Sequence, residues 1–471
     1  MRKTKIICTI GPACESEEML KALCKAGMNV ARLNFSHGTH AEHLARIDRI
    51  KKVREELNLP IAIMLDTKGP EYRIGTFKNG SVMLNTGDHF TFTTEDVEGD
   101  NTIVSVSYKG LAQELVPGDR ILLNNALLEF LVRSTDGTRI ETEILTGGEL
   151  SNRKSMSFPG KHIKQAYLSE QDKDDIRFGV ENDIDFIACS FVSVAQDLVD
   201  VHDWLKELGK DDTVELIAKI ENQSGCDYIE DICRQCSGVM VARGDLGVEV
   251  PLENLPAIQK ELITKCRMLG KRVITATEML ESMIHNQRPT RAEASDVANA
   301  VYDGTSAVML SGETAAGSYP IQAVETMAKI TEATEKNIHY AHRFHNFSFD
   351  IRNDVDAISH ATAGMAIDIG AKAIVACSIS GMTARMVSRF RAPVDIIGLT
   401  TNDKTWRRLA LSWAVTPMKC EVFPSTDVLF YSAKKIAVEA MGLKSGDKIV
   451  ITGGVTTGQT GNTNLIKIEE I

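Results

Sequence analysis

The sequence is short of several features that would otherwise set its class. Basic residues are outnumbered, 53 Lys and Arg against 64 Asp and Glu, for a formal net charge of -11. No Lys/Arg block offsets that balance, which argues against a nucleic-acid surface. No apolar run reaches the ~20 residues of a membrane span, so no membrane partner is expected. The ten cysteines form no disulfide framework, and Cys8, Cys189 and Cys377 lie inside apolar segments. That fits a reducing compartment, the cytoplasm. Cys233 and Cys236 make one C-x-x-C, but no second pair follows and IEDICRQC has helical spacing, so a metal is not expected there. Met1 runs straight into the strand-like KTKIICTIG, so no signal peptide is expected.

What is present is long and well patterned. A chain of 471 residues, 43% hydrophobic and 25% charged, is too large for one ordinary core and predicts two or three domains. The most informative stretch is 214–250. VELIAKIEN and GVMVARGDLG are apolar strands that end in charge, Lys219 with Glu221 and Arg243 with Asp245. Residues two apart on a strand share a side. Strands this apolar are buried on both faces, as in a parallel sheet, and the C-terminal ends of such strands are where α/β sites are built.

The same alternation runs through 1–68, where TKIICTIG, MNVARLNFS and PIAIMLDTKGP are separated by two helices. It resumes from about 163 with DIDFIACSFV, VELIAKIEN, GVMVARGD, KRVITATEM and TSAVMLSGET. Eight βα units predict a (β/α)8 TIM barrel, an α/β fold, over 1–68 and 160–344. Between them, 69–159 shows short β-rich runs broken by Gly, Asp and Asn and no helical period. It reads as a small β-barrel lid domain inserted after the third strand, hinged at Gly69-Pro70 and Pro159-Gly160. From 345 to 471 a smaller, doubly wound α/β domain is expected from the strands AIVACS, VDIIGLT and DKIVITGG. His339, His342 and His345 before it lack a completing ligand and read as the end of a linker helix.

MNVARLNFSHG, LDTKGPE, AKIENQSG, MVARGDLGVE, RPTRAEASDVANAVYDG and MLSGET, in that order, resemble the segments of the pyruvate kinase family, and the likeness covers the whole chain. The resemblance implies transfer of a phosphoryl group from phosphoenolpyruvate to ADP, giving pyruvate and ATP, by a cytoplasmic homotetramer. It implies Glu221 and Asp245 as ligands of Mg²⁺ or Mn²⁺, and Lys219 as the charge on the group in flight. Arg32 would meet the substrate phosphate, Gly244 and Asp245 the substrate carboxylate, and Thr277 the enolate carbon. Ser311 and Glu313 would feed the proton of the second step. Asn34, His37, Arg73 and Lys154 would touch the nucleotide. Asn34, Ser36, Asp66 and Thr67 would hold K⁺, and Glu71 marks the K⁺-dependent form. Ser378, Ser380, Gly381 and Thr383, with the loop 452–464 and Arg385, would take a sugar-phosphate or nucleotide effector.

The chain departs from the family pattern at several places. Asn124-Asn125-Ala126 stands for Asp-Asp-Gly, Ser193 for a basic residue, Glu278 for Gln, Ser306 for Asp, Ala316 for Lys and Cys226 for an aliphatic residue, and SMSFPG follows Lys154 in place of GVNLPG. These touch lid closure, nucleotide preference and turnover more than the reaction. Two other readings stay open at this point. One is a different Mg²⁺-dependent barrel enzyme of pyruvate or phosphoenolpyruvate, and the other a sugar-phosphate sensor without catalysis.

Overall fold

A computed structural model describes residues 1–161, 163–422, 425–454 and 463–471. Eight strands, β1 (Lys5–Thr9), β2 (Val30–Asn34), β3 (Ala62–Asp66), β4 (Phe186–Cys189), β5 (Glu215–Ile220), β6 (Gly238–Ala242), β7 (Arg272–Ala276) and β8 (Ala307–Leu310), pair in parallel around a closed barrel. Side chains alternate between two cores, as the pleat requires. Ile7, Met64, Ile217 and Met240 fill the interior, while Ile6, Cys8, Ile63 and Leu65 pack outward against the helices.

The helices begin and end where local chemistry says they should. Ser16 accepts the Met19 N–H ahead of Glu17–Ala26, and Gly27 closes that helix. Thr39 and Glu42 form a capping box ahead of His40–Leu57. Because all eight strands point the same way, their polar C-terminal residues converge on one mouth.

The insert leaves after β3, at that mouth. Its seven-stranded sheet curls until the edge strands Tyr72–Arg73 and Ile103–Ser105 meet through an Ile74–Val106 bridge. Phe90, Phe92 and Phe130, each 0% exposed, make its separate core. The run SVMLNTGDHFTFTT divides into Ser81–Leu84 and His89–Thr93, which join different sheets, and one helical turn, Leu111–Glu114, breaks the expected all-β pattern.

In the C-terminal region β9 (Ala373–Cys377), β10 (Asp395–Thr400), β11 (Val415–Lys419), β12 (Lys448–Gly453) and β13 (Leu465–Glu470) form one sheet in the order 11-10-9-12-13, with β13 antiparallel. Ile374 and Ile396 face one set of helices and Val375 and Ile397 the other, so both faces are covered. β11 and β13 were not among the expected strands. They are edge strands with mixed burial, which leaves no clear alternation to read. This sheet docks on the barrel through a buried pair, Arg407 Nε to Asp185 Oδ1 at 2.7 Å.

One lid turn carries strain. Asn124, Asn125 and Ala126 all have left-handed backbone, φ 53, 55 and 60. Asn tolerates this, whereas alanine costs about 1 kcal/mol there. Ala126→Gly is therefore expected to stabilise the lid by about 0.5–1 kcal/mol, read as slower hydrogen exchange confined to the lid. Unchanged or faster exchange there would refute the strain.

Candidate active site

The mouth is organised from β3. Asp66, 0% exposed, ends that strand and holds two cations: Arg32 Nε lies 2.6 Å from Oδ2 and Lys219 Nζ 2.9 Å from Oδ1. Arg32 also donates to Thr9 Oγ1, and Lys219 to Ser190 Oγ at 2.7 Å. Ser190 in turn donates to the Thr67 carbonyl at 2.6 Å. Burial works to raise the Asp66 carboxyl, but the Arg32 and Lys219 charges outweigh it and hold the group below its usual range. Burial likewise opposes the Lys219 ammonium, and Asp66 with Glu221 keeps it protonated well above the ordinary lysine value.

Beside this cluster stand the carboxylates of β5 and β6. Glu221 Oε1 lies 3.1 Å from Lys219 Nζ, and its Oε2 accepts the Phe191 N–H at 2.6 Å. The Glu221 and Asp245 carboxyls abut. Burial is the largest influence on both. For Glu221, Asp245 and Asp66 add repulsion and the carboxyl is pushed up to about 7; Asp245 is raised too, with Glu71 and Asp66 as its repelling neighbours. Two abutting buried carboxyls share a proton or take a cation, so the donor set fits a divalent metal.

The expectation that Arg243 and Asp245 lie together on a strand is corrected. β6 stops at Ala242, and Arg243–Glu249 is a helix. Arg243 turns away and donates to the Ala276, Thr277 and Glu278 carbonyls and to Asp296 at 2.6 Å. Those carbonyls belong to a strained turn, with Thr277 at φ 66 and Glu278 at φ 52. Thr277 Oγ1 accepts the Gly244 N–H at 2.7 Å and donates to the Ala276 carbonyl. The Gly244 N–H expected to meet a substrate is thus engaged within the protein. Glu313 is also engaged: its two oxygens accept the Leu280 and Ser311 N–H groups, so it braces the turn that carries Ser311.

Asn34 and Asp66 are register partners on β2 and β3. Asn34 Oδ1 accepts the Ser36 N–H, and Ser36 and His37 are exposed in the turn beyond. On the lid, Arg73 pairs with Glu71 at 2.6 Å and donates to the Arg153 carbonyl, and the Lys154 carbonyl accepts the N–H of Ile74, the residue after Arg73. A cavity of about 120 Å³ lies between this hinge and Glu221, Asp245 and Glu249.

Far from the mouth, Ser378, Ser380, Gly381 and Thr383 form the turn after β9. Ser380 Oγ accepts the Met382 N–H, and Thr383 Oγ1 lies 2.7 Å from Thr463 Oγ1. Arg385 points away from that turn toward Glu215, 3.3 Å distant, which corrects its expected place. Residues 455–462 of the Gly/Thr-rich loop lie outside the described residues.

Two residues escaped the sequence reading. Ser190 links Lys219, Asp66 and Thr67, and the only cue was its place at a strand end. Glu249 accepts from Ser157 and the Phe158 N–H of the lid hinge, and its cue was the i, i+4 spacing from Asp245.

A closed barrel that gathers an arginine, a lysine and paired carboxylates beneath a hinged insert defines an enzyme acting on a small, multiply charged anion. Comparison with known proteins gives the family. "Pyruvate kinase, barrel domain" matches residues 1–324 and "Pyruvate kinase, alpha/beta domain" residues 356–469. The chain is 48% identical to a pyruvate kinase of Staphylococcus epidermidis over 99% of its length and 80% of the relative's. It is 46% identical to that of Clostridium perfringens over 100% of both. A crystal structure of a pyruvate kinase from Cryptosporidium parvum superposes with a TM-score of 0.94 at 36% identity, covering 100% of this chain and 96% of the other.

The chain belongs to the pyruvate kinase family. The family reaction moves a phosphoryl group from phosphoenolpyruvate to ADP, and its members generally need divalent and monovalent cations. Among the described residues no helix is long and apolar enough to cross a membrane.

Arg243 is a positioning residue for the strained turn. Arg243→Lys keeps the charge but cannot reproduce the fork of bonds. It is expected to lower turnover by about 10²-fold through misplacement of Thr277. Wild-type turnover in the variant would show that the turn holds without the fork.

Proposed function

We propose that this site transfers the phosphoryl group of phosphoenolpyruvate to ADP with Lys219 and Arg32 holding the group in flight. The observation that carries the reading is Asp66, which fixes both cations at one point at the mouth. Loose phosphoryl transfer asks for positioning and positive charge more than covalent chemistry. Glu221 and Asp245 would hold Mg²⁺ or Mn²⁺, which when bound supplies further positive charge to the phosphate oxygens. Thr277, held by Arg243, stands ready at the enolate carbon, and Ser311, braced by Glu313, relays the proton of the second step.

Asn34, Ser36, Asp66 and Thr67 offer neutral oxygens and one carboxylate already shared with Arg32 and Lys219. That field suits K⁺ better than a second Mg²⁺. Asn34, His37, Arg73 and Lys154 are assigned to the nucleotide, with residues 69–159 acting as a lid over the barrel of 1–68 and 160–344. The turn of Ser378, Ser380, Gly381 and Thr383, in the domain 345–471, is assigned to a phosphorylated effector. Family membership supports a cytoplasmic homotetramer. The lyase and sensor readings lose ground because the lid, the lysine and both carboxylates are present together.

Pyruvate release from phosphoenolpyruvate, measured with and without ADP, tests the reaction, and an ADP-independent rate would overturn it. Lys219→Ala should lower turnover by about 10²–10³ with little change in phosphoenolpyruvate binding. Lost affinity with intact turnover would refute the role.

The metal assignment carries a pH dependence. Glu221 in the folded chain keeps its proton up to about pH 7. A metal must displace that proton below this pH and finds none to displace above it. Mg²⁺ affinity, read by calorimetry, should therefore rise with pH toward about 7 and then level off, and Glu221→Gln should lose both the affinity and the slope. A slope retained in Glu221→Gln would place the metal elsewhere.

Activity should also require K⁺ over a bulky ammonium ion at equal ionic strength, and Glu71→Lys should relax that need. Equal rates in the two salts would remove the K⁺ site.

A further inference from the structure

The barrel floor, at the end opposite the mouth, holds a second concentration of charge. Arg272 opens β7 and Ser306 precedes β8, and both meet the helix Met382–Ser388 and the residues after it. A small cavity there is lined by Lys271 and four guanidinium side chains, Arg272, Arg385, Arg389 and Arg391. Two carboxylates stand behind this group and both are committed. Glu215 takes Arg272 at 2.5 Å and Arg385 at 3.3 Å, and Asp356 takes Arg389 at 3.1 Å. Five cations against these two carboxylates leave an excess of three positive charges.

The donors are not all used. Arg389 is 4% exposed, and its Nε, like that of Arg385, is buried and donates to no protein group among the described residues. Arg391, 6% exposed, has no carboxylate within 4.0 Å among the described residues. It donates to the carbonyls of Gly304 and Ser388 and to Ser306 Oγ at 2.9 Å, and its guanidinium stacks on Trp413. Burial, with Arg385 and Arg408 beside it, pushes the Arg272 guanidinium down to about 10 against the pull of Glu215. Buried like charge with idle donors is costly unless an anion neutralises it.

We propose that this cavity is a binding site for a free inorganic oxyanion of the phosphate class, which joins the barrel floor to the C-terminal sheet. A tetrahedral oxyanion presents several acceptors at once and suits guanidinium and hydroxyl donors arriving from both domains. The cavity is too small for the body of a nucleotide or sugar.

The test is thermal unfolding of the full-length protein with inorganic phosphate, ionic strength being held constant with chloride. A saturable rise of about 2–4 °C in the midpoint is expected. Ser306→Asp places a carboxylate beside Arg391 and supplies part of the missing charge internally, so this variant should weaken the phosphate response. No saturable rise in the wild type would overturn the proposal. So would an undiminished rise in Ser306→Asp, which would put the phosphate at the catalytic mouth or at the turn after β9. Wild-type crystals soaked in selenate give a second reading that needs no variant. An anomalous peak within hydrogen-bonding reach of Arg389 and Arg391 supports the site, and a peak beside Arg32 and Lys219 alone refutes it.

Discussion

The interaction on which the rest of the site depends is the buried pairing of Asp66 with Arg32 and Lys219. Three ionised groups in a low-dielectric place cost several kcal/mol each unless every charge is met. Here each one is. Asp66 divides its two oxygens between the cations, Thr9 takes a further arginine N–H, and Ser190 takes the remaining reach of the lysine. An apolar cluster of the same volume would hold β2, β3 and β5 together equally well. The ionic version is explained by what it leaves available: two cations whose positions are fixed before any substrate arrives. Preorganised charge of this kind needs no reorganisation during transfer.

The mouth around that node is unfavourable in other ways. Glu221 and Asp245 abut, and Phe191, Thr277 and Glu278 carry left-handed backbone. Each such residue costs on the order of 1–3 kcal/mol. Stability must come from elsewhere, and the two layers of barrel core, inside the strands and between strands and helices, are where it is found. Arg243 shows how the strain is held. A single guanidinium fastens the carbonyls of three successive residues and is itself fixed by Asp296.

Much of this was legible in the sequence because β strands buried on both faces leave a strong mark. The barrel strands are largely apolar runs with polar residues gathered toward their C-terminal ends, and that pattern located Arg32, Asp66, Lys219 and Glu221 before any coordinates. Direction was harder. Arg243 and Asp245 looked like a second strand pair because the backbone changes from strand to helix at Ala242, two residues before the first glycine of GDLG could mark the change. Glu313 looked like a free carboxylate because bonds to main-chain N–H groups leave no trace in side-chain spacing. β11 and β13 lacked alternation because edge strands are only partly buried.

The lid is coupled to the site through both of its hinges, and this follows from contacts alone. At the first, Gly69 donates its N–H to Asp172 and passes so close to Ser190 that a Cβ would stand 2.9 Å from its carbonyl oxygen. Only glycine fits at φ +70 with that approach. Ser190 is the residue whose hydroxyl bridges Lys219, Asp66 and Thr67, so the hinge rests on the charged node. At the second, Ser157 and Phe158 bind Glu249, one helical turn from Asp245. Each hinge thus bears on one half of the site: the cations through Ser190 and the carboxylates through the helix of Asp245. Glu249 therefore stands between the lid and the paired carboxylates, its own carboxyl pushed up to about 7 by burial with Asp245 adding repulsion.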